Sequence, residues 1–455
     1  MESHSNGPTE VNRREFIKGG SFATLMTMLG GVELFAQQTG QSQTESGANG
    51  PKLKCALVGL GPWGREILDE LGRLPQVEIA AICDDYPAMV RRSASKVPNA
   101  TQTEDYRTIL ENKEIKAVIV ATGTHQHKDI ALEAIRAGKH VYCEAPLANT
   151  LEDARAIAQA GKNSPQLVFQ AGLQFRSDPQ RHFLLPFIRS GALGKPVMAR
   201  AQWHKKTSWR SASSNSEREK AINWRLNSET SLGLVGEMGI HQFDQASWLF
   251  MDDAPVAMTG RGTNILWKDG RDVPDTVQLL VEFPGGVQQM YDATLANSFD
   301  AEYEMFYGSD AAVMIRDRKA WLFKEVDSPL LGWEVYASKD VFYKESGIAL
   351  VADASKQRTG GDKPIENPNP MSALYYALEA FANNSIDLSA GVEDFSSMFD
   401  ASDKAALADY LGTLKLKPAA GFQEGYAATV LAIKANEAVT KKERIELRKE
   451  WFQLA

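Results

Sequence analysis

The stretch KCALVGLGPWG, residues 54–64, decides the fold of this chain. Its first five residues form a predicted buried strand, and Gly59, Gly61 and Gly64 follow at the spacing G-x-G-x-x-G. The next ten residues carry apolar side chains at helical spacing. A strand, this glycine pattern and a helix, in that order, are typical of a turn that binds a dinucleotide pyrophosphate at the helix N-terminus. Pro62 and Trp63 lie inside the turn, so we expect them to line the same site.

A second predicted strand, residues 77–83, ends at Asp84. An acidic side chain about 20 residues beyond the glycines is the usual acceptor for a ribose 2′-hydroxyl. The negative charge of Asp84 favours NAD, while Arg91 and Arg92 follow closely and leave NADP as the alternative. The alternative is that Asp84 does not bind a cofactor and is a solvent-exposed turn residue or a cap.

Two further apolar strands alternate with helices, which predicts a doubly wound parallel sheet. The carboxyl ends of such strands form the ligand-binding edge of the sheet. Four polar residues at these ends are therefore predicted to bind the cofactor: Thr122, Thr124, His127 and Glu144. For the histidine, a helix-capping or surface position is the alternative.

The N-terminus has the pattern of an export signal. NRREFIK, residues 12–18, carries a twin-arginine pair at Arg13 and Arg14, and an apolar stretch follows to residue 36. We predict a twin-arginine signal segment at residues 1–36, export to the periplasm or another extracytoplasmic space, and no stable membrane insertion afterwards. An amphipathic helix or a short anchor is the alternative. The polar residues 37–51 are predicted to form a disordered linker.

The composition is that of an ordinary globular protein, with 455 residues, 43% hydrophobic and 24% charged. The net charge of -8 and the scattered basic residues argue against a nucleic-acid partner and favour a small-molecule substrate. The sequence has no pattern that predicts a metal site. Three cysteines, each in an apolar strand, are predicted to be buried thiols without a disulfide: Cys55, Cys83 and Cys143.

Taken together, these motifs resemble the glucose–fructose oxidoreductase / inositol dehydrogenase / MocA (Gfo/Idh/MocA) family. The resemblance implies an α/β protein with an N-terminal Rossmann domain, assigned to residues 52–173. It also implies a C-terminal α/β domain with a large, mostly antiparallel, open-faced sheet, assigned to residues 174–455. This second domain is expected to serve substrate binding and oligomerisation, with an insertion near residues 385–417 and a closing helix from residue 424 to 447.

The resemblance also implies a catalytic pair. The family combines a Glu-Lys-Pro triplet with an Asp-x-x-x-His pair, and this chain has alanine at position 145 in place of the lysine. Glu237 and His241 match the pair and are expected on one helical face, with His241 as general base and Glu237 orienting it. Four nearby cations could replace the lysine, although each is expected at the surface: Lys205, Lys206, Arg210 and Arg225.

A group of tryptophans predicts the substrate site. Trp203, Trp209 and Trp224 alternate with cationic and amide side chains, a composition suited to the apolar faces and hydroxyl rims of sugar rings. Core packing is the alternative for each ring. By resemblance, Arg176 marks the strand that enters the second domain and is added to the predicted substrate-binding residues.

We therefore expect an exported NAD(P)-dependent oxidoreductase that acts on a sugar or sugar derivative, with a tightly bound nicotinamide cofactor. The first alternative is a redox-neutral NAD-dependent glycoside hydrolase or lyase that works through a transient 3-keto sugar. The second alternative is a non-catalytic sugar-binding protein on the same fold. A homo-oligomer is expected by analogy with the family.

Overall fold

The computed structural model describes residues 51–316, 318–330, 339–342, 345–349, 371–400 and 403–454, of which 339–342 and 345–349 are described as backbone only. The predicted signal segment, residues 1–36, lies outside the described residues, as does the predicted linker 37–51 apart from Pro51. Within the described part, no helix has the length and apolarity needed to cross a membrane.

The first domain contains the predicted parallel sheet. Among the described residues six strands pair in the order β3-β2-β1-β4-β5-β6, and every pairing is parallel. This order is that of a doubly wound dinucleotide-binding fold, so the predicted class is confirmed. The strands are β1 (Leu53–Val58), β2 (Val77–Cys83), β3 (Thr101–Thr103), β4 (Ala117–Val120), β5 (His140–Cys143) and β6 (Phe169–Ala171).

The second domain contains the predicted large sheet. Its ten described strands pair in the order β14-β15-β13-β12-β11-β7-β10-β9-β8-β16, and only β7 and β10 pair in parallel among them. One face is covered by helices, while Arg200 and Met290 on the other face are exposed. The strands are β7 (Pro196–His204), β8 (Ala257–Thr263), β9 (Thr276–Glu282), β10 (Gln288–Thr294), β11 (Glu302–Gly308), β12 (Ala311–Arg316), β13 (Lys319–Lys324), β14 (Lys339–Phe342), β15 (Glu345–Ala349) and β16 (Arg444–Glu446).

Helices connect these strands and cover both sheets. In chain order they are α1 (Pro62–Leu71), α2 (Pro87–Ala94), α3 (Arg107–Glu111), α4 (His127–Arg136), α5 (Leu151–Lys162), α6 (Pro179–Arg189), α7 (Ser216–Ile222), α8 (Gly233–Glu237), α9 (Gly239–Gln245), α10 (Ala373–Met398), α11 (Lys404–Leu411) and α12 (Phe422–Lys441). A π-helical segment, Ala246–Met251, continues α9.

Two C-terminal helices do not stay within the second domain. Leu378 and Phe381 of α10 pack into the core beside β1 and Tyr142, so the single division at residue 173 does not describe the packing of this helix. The predicted insertion 385–417 therefore includes the second half of a helix that covers the first domain. The closing helix α12 ends at Lys441, six residues short of the expected end, because Lys442 adopts a left-handed conformation and β16 then joins the second sheet.

Side-chain alternation along the strands builds the cores. In β1, Ala56 and Val58 face one core of the first domain, while Cys55 and Leu57 face the other. All three cysteines are buried free thiols, as predicted. Burial raises the pKa of Cys55 and of Cys83 to about 12, so these thiols stay protonated at neutral pH.

Candidate active site

The three glycines of the β1–α1 turn each meet a different steric demand. Gly59 has a φ of +98°, and a Cβ added there would lie 2.5 Å from the carbonyl oxygen of Ala121 in the neighbouring strand segment. A Cβ at Gly64 would lie 1.9 Å from the carbonyl oxygen of Gly59, so helix and strand pack here without room for a side chain. A Cβ at Gly61 would meet nothing within 4 Å. The turn is therefore closed on the protein side and open at Gly61.

The N-terminus of α1 borders this open space. Gly61 is the N-cap and supplies no side chain to the free backbone N–H groups of the first turn, and Pro62 begins the helix. Free N–H groups and the positive end of the helix dipole bind phosphate. Trp63 is the second helical residue and is partly exposed beside the same opening.

Asp84 is fixed against the glycine turn by backbone donors. The N–H of Leu60 donates to Oδ2 over 2.8 Å, and the N–H of Tyr86 donates to Oδ1 over 2.9 Å. Burial raises the pKa of Asp84, and these two donors oppose the shift. A carboxylate oxygen can accept more than one hydrogen bond, so Asp84 keeps acceptor capacity for ribose hydroxyls.

The loop after β4 presents one open hydroxyl. Thr122 Oγ1 is buried and has no hydrogen-bond partner within the described structure. Thr124 Oγ1 instead donates to Glu237 Oε2 over 2.9 Å. His127 lies with Nδ1 3.0 Å from the Pro146 carbonyl oxygen and Nε2 3.3 Å from the Thr122 carbonyl oxygen. Thr124 and His127 thus each tie the loop to another segment of the protein, and their predicted cofactor contacts stay predictions.

Glu144 lies at the end of β5, almost fully buried. Its Oε1 atom accepts no hydrogen bond among the described residues, and burial raises its pKa to about 7. Trp63, Tyr142 and the backbone N–H of Ala145 approach the carboxyl group and oppose this rise. A Cβ at Gly172 would lie 2.7 Å from Glu144 Oε2, so the chain directly after β6 leaves room for this side chain only because it carries glycine there.

Glu237 and His241 do not share one continuous helix. Met238 separates α8 from α9, and its ψ of -48° with a φ of -105° ends the first helical run. The Glu237 carboxylate accepts hydrogen bonds from Thr124, from Ser231 over 3.2 Å and from the Leu232 N–H over 3.0 Å. The expectation that Glu237 orients His241 is therefore wrong, because its oxygens face the loops and not the imidazole.

His241 nevertheless has the state required of a base. Its Nδ1 atom is buried without a hydrogen-bond partner, and its ring packs edge-on against Phe175 with 6.0 Å between ring centroids. Burial lowers the pKa of His241 to about 4, so the imidazole is neutral at neutral pH. A neutral imidazole with an unpaired nitrogen can accept a proton.

The predicted tryptophan group is brought together in space. Trp203 and Trp209 lie 6.2 Å apart, the Arg225 guanidinium lies 6.0 Å from Trp209 and 4.3 Å from Trp224, and Trp224 lies 5.9 Å from His125. Trp203, Trp209, Arg225 and Trp224 of the second domain and His125 of the first domain therefore form one row. Trp203 and Trp209 also pack against the core of the second domain, so only part of each ring surface is available to a ligand.

Arg176 has a protein partner. Its Nε and Nη2 atoms donate to both carboxylate oxygens of the buried Asp244 over 2.8–3.2 Å, and its guanidinium stacks on Trp248 at 5.0 Å. The side chain therefore holds the first turn of the second domain to α9 through a bidentate ion pair that occupies two of its three nitrogens, and the substrate contact stays a prediction.

These features fit a dinucleotide. The open space at Gly61 and the uncapped helix suit the pyrophosphate, Asp84 suits a ribose, and the unpaired Thr122 Oγ1 and Glu144 Oε1 atoms face no protein partner at the strand ends where a nicotinamide would lie. The described residues contain no group of three or more His, Cys, Asp or Glu side chains arranged to hold a metal.

Known proteins match both halves of this geometry. Residues 53–171 match the profile described as "Oxidoreductase family, NAD-binding Rossmann fold", and residues 186–313 match that of the "GFO/IDH/MocA C-terminal domain". The two profiles together cover more than half of the chain. The chain belongs to the Gfo/Idh/MocA family. Its N-terminal domain is thus an NAD-binding Rossmann domain.

Individual relatives within the family match only in part. Inositol 2-dehydrogenase of Salmonella typhimurium is 31% identical over 148 residues, which cover 32% of this chain and 44% of the relative. Levoglucosan dehydrogenase of Pseudarthrobacter phenanthrenivorans is 27% identical over 233 residues, which cover 47% and 58%. The chain thus spans about half the length of these curated relatives.

A solved structure of the family extends the likeness in fold. The complex of levoglucosan dehydrogenase with NADH and L-sorbose superposes with a TM-score of 0.64 at 19% identity, over 88% of this chain and 99% of that one. At this identity the likeness establishes the shared two-domain architecture.

Arg225 lies close enough to Glu144 and Glu237 for its charge to act on both. Burial raises the pKa of each glutamate and the Arg225 charge opposes this rise, whereas burial lowers the pKa of Arg225 itself. The sequence-based expectation of a surface residue is therefore wrong for Arg225. Arg210, by contrast, pairs with Glu219 at the surface, and Lys205 and Lys206 are exposed.

The sequence indicates Arg225 as a possible substitute for the lysine, although with a surface position, and gives no signal for Arg218 or Asp244. The adjacent Trp224 is the one local signal for Arg225, since guanidinium groups stack on aromatic faces. No spacing rule links Arg218 or Asp244 to partners more than sixty residues away.

Proposed function

We propose that this protein is an NAD-dependent oxidoreductase that oxidises a hydroxyl group of a sugar or sugar derivative, with NADP as the alternative cofactor. The neutral His241, with its unpaired Nδ1, carries the proposal, because it follows Ile240, which packs in the core of the NAD-binding domain. The names of the family relatives, inositol and levoglucosan dehydrogenases, support a polyol substrate.

In the proposed reaction His241 accepts the proton of the substrate hydroxyl while the C–H bond breaks at the carbon that carries this hydroxyl. Bound nicotinamide supplies the acceptor for the hydride. Arg225 holds positive charge near Glu144 and Glu237, and so stabilises the oxygen that loses its proton. Glu237 fixes the loop after β4 through Thr124 and so positions the strand ends that border the cleft.

The row of rings from Trp203 to Trp224 supplies the proposed sugar platform. Aromatic faces pack on the apolar faces of sugar rings, and Arg225 within the row donates to hydroxyl groups at the rim. Asp84 favours NAD, because its negative charge opposes a 2′-phosphate.

Export through the twin-arginine route is part of the proposal. Its support is the pattern at residues 12–18 and the apolar stretch that follows. Folded export also suits an enzyme that must carry its cofactor with it. Changing Arg13 and Arg14 to lysine should retain the protein in the cytosol, as measured by cell fractionation. Unchanged fractionation would contradict export by this route.

The decisive experiment uses the full chain expressed in the cytosol. After denaturation, mass spectrometry should detect released NAD(H), and free sugars or cyclitols should produce NADH absorbance. His241→Gln should keep the bound nucleotide and lose turnover. Cleavage of chromogenic glycosides without net NADH would replace the proposal with a redox-neutral hydrolase, and retention of sugar without turnover would replace it with a binding protein.

A further inference from the structure

Helix α7 brings one cation of the second domain onto the first domain. Asn215 caps this helix by accepting a hydrogen bond from the backbone N–H of Arg218 over 2.8 Å. The Arg218 side chain then crosses to the loop after β2. Its Nη1 atom donates to Asp85 Oδ1 over 2.8 Å, and Nη2 lies 3.6 Å from Asp84 Oδ1.

The guanidinium is also packed on an aromatic face. Its central carbon lies 4.3 Å from the ring centroid of Tyr86, and the side chain is largely buried. The Nε atom of Arg218 is buried without a hydrogen-bond partner among the described residues. A buried donor without an acceptor is unfavourable, so an acceptor atom brought to this place by a ligand would be stabilised.

These contacts place Arg218 over the carboxylate that accepts the ribose hydroxyls in the proposed cofactor site. We propose that Arg218 is a latch between the domains that covers the adenosine half of the bound dinucleotide and slows its release. The inference rests on the proposed use of NAD. It goes beyond that use, because it assigns cofactor retention to a residue of the second domain.

Charge gives the latch a second effect. Asp84 and Asp85 put two carboxylates next to a site that must accept a dianionic pyrophosphate. The Arg218 guanidinium offsets part of this negative charge at the point where the adenosine enters. Most changes at a binding site alter the dissociation rate more than the association rate, so release is the quantity to measure.

The test measures release of NADH from the full-length protein. Protein loaded with NADH is mixed rapidly with excess NAD⁺, and the loss of NADH fluorescence gives the dissociation rate. Arg218→Ala should release NADH about tenfold faster, which corresponds to about 1.4 kcal/mol of lost binding. Arg218→Lys, which keeps the charge but loses the planar fork, should give an intermediate rate.

Lys220→Ala is the matched control. Lys220 lies on the same helix and is exposed, so this variant removes the same charge without touching Asp84. Its release rate should equal that of the unmodified protein.

The outcomes separate the latch from the proposed function. Equal rates for Arg218→Ala and the unmodified protein would overturn the latch and leave NAD use intact. Equal acceleration by Lys220→Ala would also overturn it, because a general charge effect would then explain the rate. Failure of the unmodified protein to bind NADH would overturn both. Circular dichroism spectra and thermal unfolding identify any misfolded variant. If Arg218→Ala is misfolded, the release rate of Arg218→Lys is compared with that of the unmodified protein, and equal rates overturn the latch.

Discussion

Replacing Arg225 by glutamine tests the charge arrangement of the cleft directly. In the folded protein the pKa of Glu144 is raised to about 7 by burial, and the nearby Arg225 charge opposes this rise. An opposite charge within ~4–6 Å shifts a carboxyl pKa by about 1–3 units. Arg225 is the weakest of the groups that oppose the rise, so without the guanidinium the pKa of Glu144 should increase by at most about one unit, which is ~1.4 kcal/mol of lost stabilisation of the carboxylate.

This shift has a measurable consequence at neutral pH. The ionised fraction of Glu144 should fall from about one half toward a lower limit of about one tenth at pH 7. Infrared titration of the protonated carboxyl band gives the fraction, with Glu144→Gln subtracted to assign it. Turnover should also fall, because the Arg225 charge that stabilises the reacting oxygen is lost.

Two further variants make the reasoning refutable. Arg225→Lys keeps the charge, so the pKa of Glu144 should stay near 7. Ala145→Lys should lower the pKa again when combined with Arg225→Gln, because it places a positive charge on the residue next to Glu144. An unchanged titration of Glu144 in Arg225→Gln would show that the guanidinium does not act on this carboxyl group.

Four other substitutions have defined outcomes. His241→Gln should lower kcat by about 10²–10⁴-fold. In the unmodified enzyme the acid limb of the rate should lie near pH 4, because the base works unprotonated and its pKa is about 4; a limb near 6.5 would contradict this role. Gly64→Ala should destabilise the fold by about 1–3 kcal/mol, since its Cβ would meet Gly59, whereas Gly61→Ala should keep its melting temperature and lose nucleotide affinity in titration calorimetry. His140 is neutral and buried with a pKa lowered from 6.5 to about 4, so unfolded chains bind more protons in that range and stability falls as pH falls from 6.5 to 4. His140→Asn should lose less stability over this range in urea unfolding, and an equal loss would assign the acid sensitivity to other groups.

The first domain could be predicted from the sequence because its rules are local. The three glycines, the apolar strands and Asp84 each follow from spacing within one βαβ unit, and their steric and hydrogen-bonding roles are found at the expected places. The existence of the second sheet came from resemblance, since β-strand patterns alone do not order ten strands.

The candidate site could be predicted only in part, because its partners are distant in the chain. The spacing of Glu237 and His241 predicts that both lie on one face of one helix. In the structure the helix is interrupted at Met238, and the Glu237 carboxylate accepts a hydrogen bond from Thr124. Arg176 and Arg225 look alike in sequence, yet one pairs with a buried aspartate and the other faces two glutamates. Such differences arise from tertiary packing that periodicity does not encode.

Helix α12 limits how the two domains can move relative to each other. Its Tyr426 and Val430 pack in the core of the first domain, while Leu431 and Ala435 pack in that of the second. Because α12 packs in both cores, the two domains cannot move apart as independent rigid bodies without breaking these contacts. Ligands must then enter by movement of surface segments such as the one that carries α7, and heat should melt both domains in a single cooperative transition.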